Sequence, residues 1–168
     1  MVCAPVKVFN GAMTTAISTL AGVLVGALTT YLIQKQSWVR ETRRQVYASF
    51  IGECRIWFDS IERVTEAIQR DFPASEREPH WDRANAGRAR VFGLRAQIDL
   101  LGGKRPRNAA LALEQNIGNI NEKIYIYDHD REHPPNTGAC RKEFDRCLDE
   151  FRRAASVELN VSKPEPSS

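Results

Sequence analysis

"YASFIGECRIWFDSIERVTEAI", residues 47–68, decides the fold. Its apolar residues fall at Tyr47, Phe50, Cys54, Trp57, Ile61, Val64 and Ile68, alternating steps of three and four. That spacing puts all seven on one face of a helix, because an α-helix turns once every 3.6 residues. Between Ile33 and Arg70 there is no proline and only the isolated Gly52, which costs a helix about 1 kcal/mol. A helix with one narrow apolar stripe is stable only when the stripe is covered, so this stretch predicts a bundle rather than a lone rod. Tyr47, Phe50, Trp57 and Ile61 are its expected anchors.

Downstream, the same period recurs. "DFPASEREP", residues 71–79, carries two prolines and predicts the end of the first helix. A second helix is expected over Trp81–Leu101, with Trp81, Val91, Leu94, Ile98 and Leu101 on one side. "GGKRP" stops it and restarts the chain at Pro106, a residue suited to a first helical turn. The third helix carries Leu113, Ile117, Ile120, Ile124 and Tyr127. Its "KIYIYD" alternates like a strand, but Ile120, Ile124 and Tyr127 continue the helical stripe. "HDREHPPNTG" reads as a loop, and the fourth helix shows Cys140, Phe144, Cys147, Phe151 and Ala154. The closing "SKPEPSS" has the composition of a disordered tail.

Upstream, residues 8–34 contain no Asp, Glu, Lys or Arg, and 12–33 read "AMTTAISTLAGVLVGALTTYLI". As a helix that run is about 33 Å long, against roughly 30 Å of bilayer hydrocarbon. Lys7 precedes it; Lys35, Arg40, Arg43 and Arg44 follow, with Tyr31 and Trp38 where interfacial aromatics belong. The expected class is therefore all-α: one N-terminal transmembrane helix continuing into a cytoplasmic antiparallel bundle of three to four helices. The segments are a short extracytoplasmic tail at 1–7, the span at 8–34, the bundle at 35–160 and a tail at 161–168. The excess of basic residues after the span orients the N-terminus outside and the C-terminus in the cytoplasm, at the cytoplasmic membrane. Two readings compete: a buried helix of a soluble protein, and a cleaved signal peptide using Val25 and Ala27. The apolar run continues past that cleavage site, beyond the 7–15 residues of a usual signal core.

Thr14, Ser18, Gly22, Gly26 and Thr30 recur every fourth residue, one small-residue face along the run. In lipid, small residues let helix backbones approach closely, so the face is a candidate contact with a second copy of the chain or another membrane helix. Lys35, Trp38, Arg40, Arg43 and Arg44 are the candidate membrane-interface residues, with the bilayer itself as a partner.

The net charge of +3 is too small to argue for nucleic acid, and basic and acidic residues interleave. Cys3, Cys54, Cys140 and Cys147 form no CxxC, and the last three fall on apolar stripes, where a free thiol packs as a small hydrophobe. Cys3 lies just before the apolar run, where lipid modification is conceivable on position alone. No cofactor is indicated. "DHDREH", residues 128–133, is the densest polar cluster. His129 and His133, four apart, are weak metal candidates, with a carboxylate among Asp128, Asp130 and Glu132 as a third ligand or base, but Arg131 and the following prolines favour a solvated turn. "GGKR", 102–105, lacks the remaining residues of a phosphate loop. Asp59, Glu62 and Glu66 share a helical face of the kind that is normally solvated.

Residues 22–58, "GVLVGALTTYLIQKQSWVRETRRQVYASFIGECRIWF", resemble a loose set of small uncharacterised bacterial one-pass membrane proteins, in which a Gly-rich span runs into a Gln/Arg-rich helix and then "YA.F". The resemblance covers about a quarter of the chain and implies location and topology, with no catalytic residues. The expected function is a non-enzymatic, membrane-anchored interaction protein that self-associates through its span and binds a partner through its bundle. The alternatives are a metal-dependent enzyme using His129 and His133, and an exported coiled-coil protein of the envelope.

Overall fold

The computed structural model describes residues 7–131 and 134–161, with side chains from Gly22 onward. They form four helices and no strand: α1 (Lys7–Gln69), α2 (Ala74–Leu101), α3 (Lys104–Asp130) and α4 (Thr137–Val161). The chain divides into two compact units, residues 1–39 and 40–168.

The second unit is a four-helix antiparallel bundle. At one end Arg141 of α4 pairs with Glu62 of α1, and Trp81 of α2 donates its indole N–H to Asp128 of α3 at 3.0 Å. At the other, Tyr47 of α1 donates its hydroxyl to Glu158 of α4 at 3.0 Å, beside Gly103 at the start of α3. Each helix therefore runs against its sequence neighbours, as short loops require.

The stripe 47–68 is the spine of the core: Tyr47, Phe50, Cys54, Trp57, Ile61, Val64 and Ile68 are all buried. Opposite them, α4 supplies Phe144, Leu148, Phe151 and Ala155. Phe58 stacks on Phe144 with ring centroids 4.2 Å apart, and Phe151 packs against Phe50 at 5.0 Å and edge-on to Tyr47 at 5.7 Å. Burying each such side chain contributes about 1.5–3 kcal/mol. α3 adds Leu113, Ile117, Ile120 and Ile124, so "KIYIYD" is helical: Ile124 serves the bundle, and Tyr125 and Ile126 remain exposed.

Two expected positions shift. The α4 stripe ends on buried Ala155 rather than on half-buried Ala154, and Leu148 joins Cys147 in it. More substantially, α2 begins at Ala74, seven residues before Trp81, and carries Pro79 inside it. Pro73 sits at the N-cap in an extended conformation, and its carbonyl accepts the N–H groups of Glu76 and Arg77 at 3.0 and 3.2 Å. Pro79 removes one backbone bond, yet the turn is held from outside by the Arg77–Asp128 ion pair to α3. A tertiary contact outweighs a local breaker.

The α1–α2 connection closes with Asp71 in the left-handed region (φ 59°). The amides of Asp71 and Phe72 bond back to Ile68 and Ala67 at 3.1 and 3.0 Å, which satisfies the last carbonyls of α1. Arg131, also left-handed (φ 58°) at the end of α3, reaches across and donates to the Ile68 carbonyl at 2.9 Å. The glycine pair is a turn, and Gly102 is required by space: a Cβ there would lie 2.8 Å from both the Ile98 carbonyl and the Tyr47 hydroxyl.

Candidate functional site

In the first unit the described apolar side chains stand in the open. Val23, Leu24, Val25, Leu28, Tyr31, Leu32 and Ile33 are between 50% and 67% exposed. A Cβ placed at Gly22 or Gly26 would meet no atom within 4 Å, so neither glycine is explained by packing inside the chain. The Thr29 and Thr30 hydroxyls donate to the carbonyls of Val25 and Gly26 at 2.7 and 2.8 Å, leaving them satisfied without water. Among the described residues no helix is long and apolar enough to cross a membrane. The side chains of 12–21, including Thr14 and Ser18 of the small-residue face, lie outside the described ones, as does Cys3.

Of the expected interface residues, Arg43 belongs to the bundle: it pairs with Glu158 at 2.8 Å. Glu158 is thereby a junction, also accepting the Tyr47 hydroxyl and the Gly103 amide. Burial, then the Glu158 charge, pushes the Tyr47 phenol well above its ordinary value, so it stays a donor. Arg44 lies 3.9 Å from Glu41; Lys35 is exposed and Arg40 half-buried.

In the second unit a groove of about 660 Å³ runs between α2 and α3. One helical face of α2 gives Trp81, Asn85, Arg88 and Phe92; one face of α3 gives Glu114, Gln115, Gly118, Asn121, Glu122 and Tyr125. Trp57 of α1 lines its floor. Trp57 reaches this depth because Gly87 lets α2 pass close: a Cβ at 87 would lie 3.1 Å from the Trp57 Cα and Cβ.

Among the lining residues are buried polar atoms that the chain leaves without hydrogen-bond partners. The buried Trp57 Nε1, Glu114 Oε2 and Asn121 Oδ1 have none. Glu114 is 7% exposed, and the nearest opposite charge, Arg95 Nε, is 3.6 Å away. Burial pushes its carboxyl above the ordinary range, with Asp99 adding to the effect and Arg95 and Arg88 opposing it.

The fold thus favours protonated Glu114. Its contribution to stability is fully present below the ordinary glutamate pKa of about 4.3 and is lost as pH rises through the folded value. Denaturant titrations of wild type and Glu114→Gln should show the wild type losing stability relative to the variant as pH rises from 4 to 7. A difference independent of pH would contradict this environment.

His129 lies exposed at the end of α3, its Nδ1 2.8 Å from the Tyr125 carbonyl and its ring 4.3 Å from that tyrosine's. His133 lies outside the described residues. Asp128, one of the three candidate carboxylates, is bound to Arg77 and Trp81. No three His, Cys, Asp or Glu among the described residues are grouped to hold a metal. Cys54, Cys140 and Cys147 are free, and burial pushes the Cys54 thiol far above its ordinary value, away from reactivity. Glu62 and Asp59 are not merely solvated, since both approach Arg141 of α4.

The groove went unread in the sequence. Its signal is "EQNIGNIN", residues 114–121: a carboxylate beside Leu113 and Ile117 on the apolar side of α3, followed by a run of amides. No protein family, curated protein or solved structure matches the chain.

Proposed function

We propose that this chain is a membrane-anchored interaction protein. The N-terminal part of α1 sits in the lipid bilayer of the cytoplasmic membrane with the N-terminus outside. The helical bundle lies in the cytoplasm and works through protein contacts rather than catalysis. The observation that carries this reading is the row of large apolar side chains from Val23 to Ile33, all at least half exposed along a charge-free run. Monomeric soluble proteins rarely leave so contiguous an apolar surface uncovered. Threonines that satisfy their own hydroxyls suit a solvent without water. The basic residues after the run set its orientation.

Gly22, Gly26 and Thr30, continuing the small-residue face of Thr14 and Ser18, make the contact to a second copy. Gly22 and Gly26 can be replaced together with isoleucine, since a Cβ at either position meets no atom within 4 Å. In a membrane-dimerisation reporter the double variant should lose most of its signal, roughly tenfold for about 1.4 kcal/mol of association energy. An unchanged signal removes the self-association. A C-terminal reporter should be active only inside the cytoplasm, and a chain recovered in the soluble fraction without detergent removes the anchor.

A further inference from the structure

We propose that the end of the bundle where α2 turns into α3 is a second membrane contact, in which Lys104, Arg105 and Arg107 hold the headgroups of anionic lipids. This rests on the membrane reading above and extends it to residues far from the span in sequence.

The chain sets the distance. The charge-free run ends at Gln34, and Arg40 already belongs to the bundle. Those six residues reach at most about 20 Å even fully extended, so the entry of α1 into the bundle stays within that distance of the lipid surface. Glu158 ties the same end together by gathering Arg43, Tyr47 and the Gly103 amide. The α2–α3 turn therefore lies beside the point where α1 enters. The opposite end is about 44 Å farther along α1, from Arg40 to Gln69 at 1.5 Å per residue.

Charge is unevenly divided between the two ends. At the first, residues 40–44, 99–107 and 157–161 hold six basic side chains against three acidic. At the other, residues 66–78, 126–131 and 137–141 hold four against six. The three acids of the basic end are already engaged, Glu41 with Arg44, Asp99 with Arg95 and Glu158 with Arg43. Lys104, Arg105 and Arg107 are exposed and have no ion-pair partner among the described residues. An anionic lipid surface attracts such a cluster and repels the other end.

Their placement works against the isolated helix. They lie in the first turn of α3, which has no acidic residue, and cations oppose the positive end of a helix dipole. A lipid phosphate there meets both the side chains and the first-turn amides, which lack partners within the helix. Leu100, in the last turn of α2, is 85% exposed, more than any other large apolar side chain among the described residues. An apolar side chain beside cations suits the boundary between headgroups and acyl chains.

The test is amide hydrogen exchange of the full chain in lipid nanodiscs, one set of phosphatidylcholine alone and one of equimolar phosphatidylcholine and phosphatidylglycerol. Amides of residues 100–107 should exchange at least about tenfold more slowly in the anionic discs, and those of 71–76 equally in both. Lys104→Glu, Arg105→Glu and Arg107→Glu together should abolish the difference. Glutamates suit a helix N-terminus, so Tm in the neutral discs should hold or rise, which separates a lost contact from a lost fold. Protection that survives the triple variant overturns the proposal, as does protection in neither lipid. Equal protection in both lipids also overturns it, and would mean that a second copy covers this end. A chain that enters neither kind of disc overturns the anchor and this contact together. One that enters both without protection keeps the anchor and loses the contact.

Discussion

Replacing Asp128 with alanine should destabilise the bundle by about 3–5 kcal/mol, the cost of breaking a buried ion pair from one side. Asp128 is 10% exposed at its side chain and its partner Arg77 15%. The carboxylate also accepts the Trp81 indole N–H at 3.0 Å. Removing it leaves a guanidinium without its counter-charge in a place water barely reaches, and an indole N–H without an acceptor. The first turns of α2, which carry Pro79, then lose the contact that holds them helical. Urea unfolding of the variant should therefore show a lower midpoint, and hydrogen exchange should localise the loosening to residues 74–81. Arg77→Met combined with Asp128→Ala should recover part of the loss, because the stranded charge is gone. A single-variant cost under 1 kcal/mol would mean that α2 begins near Trp81 after all.

That helix start shows where the sequence is legible and where it is not. The stripe from Tyr47 to Ile68 is readable because it depends only on period and on the absence of breakers, and all seven of its residues are buried. Likewise, Ile120 and Ile124 outvote the local alternation of "KIYIYD", since a bundle rewards the longer pattern. Pro79 is misread as a terminator because the compensating partner, Asp128, is 49 residues away. Glu158 escapes for the same reason. Nothing local distinguishes it from other surface glutamates, yet it binds Arg43, Tyr47 and Gly103 at once. Arg43 accordingly changes from an expected lipid contact to a bundle residue. The groove is the extreme case. Amides have no burial periodicity, so Asn121 becomes informative only once α2 and Trp57 are seen beside it.

The other large effect concerns Phe151. It is fully buried on α4 and is the ring on which two α1 side chains converge, Phe50 at 5.0 Å and Tyr47 edge-on at 5.7 Å. Truncation to alanine removes the transferred area and leaves a cavity between long helices that cannot close on it, so the expected cost is about 3–5 kcal/mol. For a bundle of this size that corresponds to a fall in Tm of about 10–20 °C. The loss should extend beyond the core. Tyr47 leans on this ring and places its hydroxyl on Glu158, so Phe151→Ala should be non-additive with Tyr47→Phe by at least 0.5 kcal/mol. Val157→Ala, at an α4 position 47% exposed, is the matched control and should stay within about 0.5 kcal/mol of wild type. Were Val157 to prove as costly as Phe151, the face that α4 turns toward α1 would be wrong by about a third of a turn. The junction at Glu158 would then lose its geometry too, since the same rotation places Glu158 opposite Tyr47.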